Sequence, residues 1–295
     1  MCLYENDMKK IAILLLGMCF SMTAWGWGRY GHATVAQVAE NHLTSKAKKA
    51  LFKYLDGEPI TAIASDADVY IGKWQLDLGF VPTNQDFARG KGWVKDFDTS
   101  APPNMARYPH CIAVDKDFNA YRTDNFDGKL FENCVIYIDR LYKQLKANAE
   151  GMDPKERHIA ICEIVHLVGD MHCPMHIAYY DREIKRGFFD VTVGGTLKTT
   201  LHHYWDTEIF QAFPWSYGDL AHMADNCSPR QIKAISKGDV YDWAKASAID
   251  CWPSHNVKPN AELSSYYPYE MRPLVLKQLR NGGYRLAAML NDIFK

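Results

Sequence analysis

Histidine and aspartate recur four residues apart in two otherwise apolar stretches of this chain. In His166-Leu-Val-Gly-Asp170-Met-His172-Cys-Pro-Met-His176, the first His and Asp share a face if the segment is helical. Pro174 then stops or turns the chain, so His176 must arrive from another backbone direction. The run Leu201-His202-His203-Tyr204-Trp205-Asp206 repeats the spacing. Imidazole nitrogen and carboxylate oxygen on one face form the donor set that zinc takes. A single such pair is better explained as a surface ion pair or a satisfied core histidine. The company these pairs keep is more telling: Ile164, Val165 and Val168 surround the first, and Leu201, Tyr204 and Trp205 the second. Charged groups on apolar faces must be paired or bound to a metal.

Helices are the elements that must position these groups. Phe131, Val135, Ile138, Leu141, Tyr142 and Leu145 repeat at three and four, the apolar stripe of an amphipathic helix. Asp153-Pro154 with Glu156 reads as N-cap, Pro in the first turn and an acidic third position, opening a helix that carries Ile159, Ile161, Cys162, Ile164, Val165 and Val168. Further helices are predicted from about Ala33 to His42, from Lys46 to Leu55 and from Leu274 to Phe294, the last around Gly282-Gly283, where another backbone can come close. Only Gly187 to Thr200 looks like a β-hairpin, turning at Gly194-Gly195. The polar residues 83–128 are predicted to be long loops. The expected fold is one all-α domain with a single small β-hairpin.

Composition fits a folded protein: 295 residues, 47% hydrophobic, 13% aromatic and 23% charged. With 34 basic against 35 acidic residues the net charge is −1, which excludes a nucleic-acid clamp held by its own Lys and Arg. Balanced charge and plentiful aromatics also argue against long disorder. From Met8 the chain runs Lys9-Lys10, then the apolar Ile11 to Phe20, then small residues to Gly26, the pattern of a secretory signal too short to span a bilayer. Cleavage is expected between Gly26 and Trp27, leaving residues 27–295 as a single exported domain, periplasmic or secreted. Export places Cys111, Cys134, Cys162, Cys173, Cys227 and Cys251 in an oxidising space where disulfides are expected, and the sequence does not choose among their pairings. The absence of a Cys-x-x-Cys pair leaves a thiolate zinc cluster unsupported.

Taken together, these segments resemble the zinc-dependent single-strand nucleases secreted by fungi and plants, the family of nuclease P-one, nuclease S-one and mung bean nuclease. His166, Asp170 and His176 match its His-x3-Asp-x5-His pattern, and Leu201, His202 and Asp206 its Leu-His-x3-Asp. Trp27, Gly28 and His32 match the mature N-terminus. Ala64-Ser-Asp-Ala-Asp68 resembles Ala-Ser-Trp-Ala-Asp, Tyr108-Pro-His110 resembles a segment supplying another histidine, and Gly283-Tyr-Arg-Leu-Ala-Ala288 resembles the C-terminal helix. The resemblance implies three zinc ions. One is held by Asp68, His110, His166 and Asp170. A second is held by His176, His202 and Asp206. The third is held by the amino and carbonyl groups of Trp27 with His32, and Asp170 bridges it to the first. It further implies hydrolysis of single-stranded DNA and RNA to 5′-phosphates, 3′-nucleotidase activity, and an enzyme needing no membrane once its signal is gone; a monomer is expected.

The chain departs from that family around the base. Cys111 and Ala113 stand where the family has an aromatic and a base-reading acid; Asp115 is the candidate replacement, with a solvated loop carboxylate as the equal alternative. No Asn precedes the hairpin near Lys185 to Phe188, and Thr200 replaces an Asn before Leu-His. Two rival readings therefore stand: a zinc phospholipase C-type phosphodiesterase, which resembles the same fold and metal set, and a non-catalytic exported zinc-binding protein. Asp115-x-Asp117-x-Asn119 opens like a calcium loop, but Ala120 and Phe126 occupy the positions that need Gly and Glu. His172 and His203 read as groups behind the ligands or on the surface, and His42, His158, His222 and His255 have no partner legible in sequence.

Overall fold

A computed structural model describes residues 27–67, 110–120, 133–180 and 187–295, with the strand backbone at 125–126 and 129–130. The signal segment, Asp68 and the predicted loop residues 83–109 lie outside the described residues.

Three helices open the domain: α1 (Arg29–Asn41), α2 (Ser45–Tyr54) and the short α3 (Ile60–Ile63). The periodic stripe becomes α4 (Cys134–Asn148), with Asn133 capping its N-terminus through Val135 N–H. Asp153 accepts from the N–H groups of Lys155 and Glu156 and starts α5 (Pro154–Asp170) as the sequence predicts. Every residue from Ala160 to Asp170 is buried, so α5 is the central helix, apolar on all sides except where it carries Glu163, His166 and Asp170. The helix α10 (Tyr267–Ile293) closes the fold and begins seven residues before the predicted Leu274. It packs chiefly on α1. A Cβ on Gly283 would lie 2.4 Å from Val38 Cβ, so this crossing requires glycine.

Between α5 and α10 the chain adds helices that apolar periodicity did not announce: a run made of Leu201–His203, the π-helical turn Tyr204–Glu208 and Ile209–Gln211 (together α6), then α7 (Tyr217–Ala224), α8 (Pro229–Ile235) and α9 (Val240–Cys251). Their start signals are local. Ser216, Ser228 and Asp239 each form a capping box with the residue three positions on.

The predicted hairpin is present as β5 (Asp190–Val193) and β6 (Leu197–Thr200), joined through Gly194 and Gly195, both at positive φ. The sheet content is larger than one hairpin. β7 (Ala261–Leu263) adds in parallel to β5, β2 (Asn125–Phe126) pairs with β3 (Lys129–Leu130), and β1 (Ile112–Val114) runs parallel to β4 (Ile177–Tyr179). Strands of two or three residues are too short to print a period-two pattern. The β1–β4 pair, in register Ile112 to Ile177, matters most because it sets the residues just before each strand side by side.

Among the described residues the expected disulfides are not seen: Cys134, Cys162, Cys173, Cys227 and Cys251 are free thiols. Cys134, Cys162, Cys173 and Cys251 are each wholly buried.

Candidate metal centre

Asp170 ends α5 with its carboxylate fully buried, and four imidazoles face it. Oδ2 lies 2.9 Å from His110 Nδ1 and 3.2 Å from His166 Nε2; Oδ1 lies 3.3 Å from His32 Nε2 and 3.6 Å from His176 Nδ1. Each ring comes from a different place. His166 stands one turn up α5, and α1 brings His32 flat onto it, with ring centroids 3.9 Å apart. Gly169 makes room for His32, since a Cβ there would meet its Nδ1 at 2.6 Å. His110 precedes β1 and His176 precedes β4, so the parallel pair delivers both, and His176 Nδ1 sits 2.7 Å from the His110 carbonyl.

The proton positions follow from the outer nitrogens. His166 Nδ1–H donates to the Ala64 carbonyl at 2.9 Å, which leaves Nε2 a lone pair aimed at Asp170 and at His110 Nδ1, 3.1 Å away. By the same logic His176 directs Nδ1–H to the backbone and Nε2 toward Asp206 Oδ1, 3.8 Å distant. Neither oxygen of Asp170 has a partner in hydrogen-bond geometry, although both are sealed from water. Lone pairs facing a buried carboxylate are repulsive unless positive charge lies among them. The titration directions express that demand. Burial disfavours the Asp170 carboxylate, yet His166, His176 and His110 hold it well below the usual range. Burial likewise opposes charge on His176, but Cys111, Asp170 and Asp206 push it up to about 10.

A second cluster adjoins the first through His176. His202 Nε2 approaches Asp206 Oδ2 at 3.2 Å across the π-helical turn of α6, a widened helix of the kind found at functional sites. The backbone N–H of Gly28 donates to the Asp206 carbonyl, and a Cβ on Gly28 would lie 2.4 Å from that oxygen. This contact presses the segment starting at Trp27 against the second cluster, with the Trp27 side chain wholly buried edge-on to Phe210. The structure thus gathers Trp27, His32, His110, His166, Asp170, His176, His202 and Asp206 in one buried region. Asp115 is placed elsewhere in role: its carboxylate accepts from the N–H groups of Asp117 and Asn119 and closes the turn after β1. Burial works against its charge, but the Asn119 and Asp117 bonds and Lys245 nearby hold it below its ordinary value.

Several participants were not singled out by sequence. Cys173 donates Sγ–H to Asp206 Oδ1 at 3.4 Å, and His176 and Asp206 form with it one group of potential donors. Phe188, 52% exposed, stacks on His202 with ring centroids 4.0 Å apart and 26° between planes. Gly187 at φ +67° sets up that approach, leaving space where a Cβ would meet Met175 Sδ at 2.8 Å. A third donor group, Asp66 with His158 and Cys162, shares no residue with these clusters. His172, which the sequence did single out as a group behind the ligands or on the surface, is a strut behind the site: Nδ1–H donates to the Val168 carbonyl at 2.7 Å and Nε2 accepts from Arg285 at 2.8 Å.

Comparison with known proteins matches residues 27–295 to the family model described as S1/P1 Nuclease. Among curated proteins, Endonuclease 4 of Arabidopsis thaliana is 26% identical over 91% of this chain and 89% of its own length. Nuclease S1 of Aspergillus oryzae is 23% identical, covering 97% and 98%, and Nuclease P1 of Penicillium citrinum is 24% identical, covering 90% and 97%.

Proposed function

The chain belongs to the S1/P1 nuclease family, and from that premise we propose that it is an exported zinc-dependent endonuclease that cleaves single-stranded DNA and RNA to 5′-phosphate products, with 3′-nucleotidase activity. As a family member it is a hydrolase of phosphodiester bonds. The observation that carries the zinc reading is the sealed Asp170 carboxylate, ringed by imidazoles and without a hydrogen-bond partner. The donor chemistry fits zinc, which takes imidazole nitrogen and carboxylate oxygen. In this reading Asp68, His110, His166 and Asp170 hold one ion; His176, His202 and Asp206 hold another; and the Trp27 amino and carbonyl groups with His32 and the bridging Asp170 hold a third.

Bound zinc supplies Lewis acidity toward phosphate oxygens and toward water. The chain supplies the rest. Ala64 and the His110 carbonyl fix the tautomers of His166 and His176, so their inward nitrogens stay lone-pair donors. The two buried carboxylates keep the pocket negative until metal arrives, after which excess positive charge draws phosphate without a basic surface. Phe188, stacked on His202 and half open to solvent, offers a base a flat apolar face in place of the aromatic that Cys111 lacks. Asp115 is the proposed polar contact on the base side, kept ionised by the turn it closes. Unpaired strands are preferred because a base must leave its stack to enter.

Removal of residues 1–26 belongs to this reading, since only cleavage frees the Trp27 amine; in support, the family match starts at residue 27. Among the described residues no helix is long and apolar enough to cross a membrane. The test is an assay of the Trp27-initiated protein on single-stranded DNA and RNA, with and without a chelator. Cleavage leaving 5′-phosphates, abolished by chelation and restored by zinc, is the expected result. Release of phosphocholine from phosphatidylcholine with both strands intact overturns it in favour of the phospholipase reading. Zinc bound with no hydrolysis of either substrate class overturns it in favour of a zinc-binding protein.

A further inference from the structure

Cys162 lies one helical turn before His166 on α5, and His158 one turn before that, so their side chains share a face. Asp66, just beyond the end of α3, meets that face. One donor atom from each of Asp66, His158 and Cys162 lies within 4.8 Å of the other two. Asp66 stands where the family pattern carries Trp, so the group is a property of this chain and not of the pattern. Its burial is graded: Cys162 is inaccessible, while Asp66 and His158 are half-buried, which gives the group a closed inner end and an approach from solvent. No hydrogen bond or ion pair among the described residues joins these three side chains to one another or to a neighbour. Burial raises the Asp66 carboxyl above its ordinary value, against the opposing pull of His158.

Thiolate, imidazole and carboxylate together form a mixed donor set for zinc, with a fourth position left to water. We propose that Asp66, His158 and Cys162 bind a fourth zinc ion, separate from the centre around Asp170. Binding exchanges the Cys162 thiol proton for a zinc–sulfur bond, and the proton leaves to solvent. Such an ion ties the end of α3 to α5. It thereby pins the carbonyl of Ala64, two residues before Asp66, on the Nδ1–H of His166. The site does not depend on the nuclease reading, since neither its donors nor its test involves substrate.

Cobalt(II) loaded into the zinc-stripped, Trp27-initiated protein tests the site, because only a thiolate ligand gives cobalt a sulfur-to-metal charge-transfer band in the near ultraviolet. The expected result is such a band in the parent, lost in Cys162→Ala and in His158→Ala, with bound metal falling by one ion in each. Cys173 and Cys111 are further thiols near metal donors, so the band must survive in Cys173→Ala and in Cys111→Ala. His158 is half-buried on the surface of α5, so its replacement keeps the test decisive even if Cys162→Ala unfolds the core. Absence of the band from the parent overturns the proposal. So does its persistence in Cys162→Ala or His158→Ala, or its loss in Cys173→Ala or Cys111→Ala.

Discussion

Four imidazoles converge on the two oxygens of Asp170, and the tautomer of His166 is fixed from outside by Ala64. Replacing Asp170 by Asn keeps the volume and removes the charge that makes those lone pairs tolerable to a cation. In Asp170→Asn, zinc content measured by atomic emission is expected to fall, and single-strand cleavage to drop by more than the roughly 10–100-fold that losing a group behind a ligand costs. Phe188 acts on substrate alone: Phe188→Ala is expected to raise KM for single-stranded oligonucleotides about tenfold, one base stack being worth about 1–3 kcal/mol, with kcat little changed and Phe188→Tyr restoring KM. At this scale the sequence was informative where chemistry repeats at helical spacing. His166 with Asp170 and His202 with Asp206 were visible because an apolar helix face leaves a charged pair conspicuous. Phe188 and Cys173 were not, because an apolar residue beside a glycine and a cysteine inside a motif look the same whether or not they face a site.

The elements carry two further tests. At the α1–α10 crossing Gly283 lies against Val38, and overfilling such a contact costs about 1–3 kcal/mol; Gly283→Ala is expected to lower the thermal midpoint, and Val38→Ala in the same chain to recover part of the loss. His172, buried between the Val168 carbonyl and Arg285, is pushed down to about 3, by burial first and by Arg285 second. The unfolded chain takes up this proton near pH 6.5 and the folded protein refuses it until about pH 3. The stability that neutral His172 contributes is therefore fully present above about pH 6.5 and is lost as pH falls toward 3. Denaturation midpoints measured between these limits should fall less steeply in His172→Gln than in the parent. α4, α5 and the hairpin were legible from apolar period, cap and paired glycines. The helices from Tyr217 to Cys251 were missed because they are short and held by capping boxes, not stripes. The three-residue strands that deliver His110 and His176 are shorter than any period they could show.

Across the whole molecule, a chain of net charge −1 attracts a polyanion only if charge is concentrated in one place, and in the proposed reading metal held beside Trp27, Asp170 and Asp206 would concentrate it. That reading puts the beginning of the proposed mature chain, Trp27, inside the site. A protein carrying one extra residue before Trp27 is expected to bind one zinc fewer and to lose most of its activity, because its first amine no longer meets the metal; metal analysis and single-strand cleavage on the same sample check this. The most direct measurement is to strip the Trp27-initiated protein of metal and titrate zinc back while following both bound metal and cleavage of single-stranded DNA. The expected course is recovery that tracks the filling of the centre around Asp170, is absent from Asp170→Asn, and does not require Cys162. Cleavage that persists in the stripped protein, or zinc that binds and restores Asp170→Asn as well as the parent, contradicts the assignment of hydrolysis to that centre.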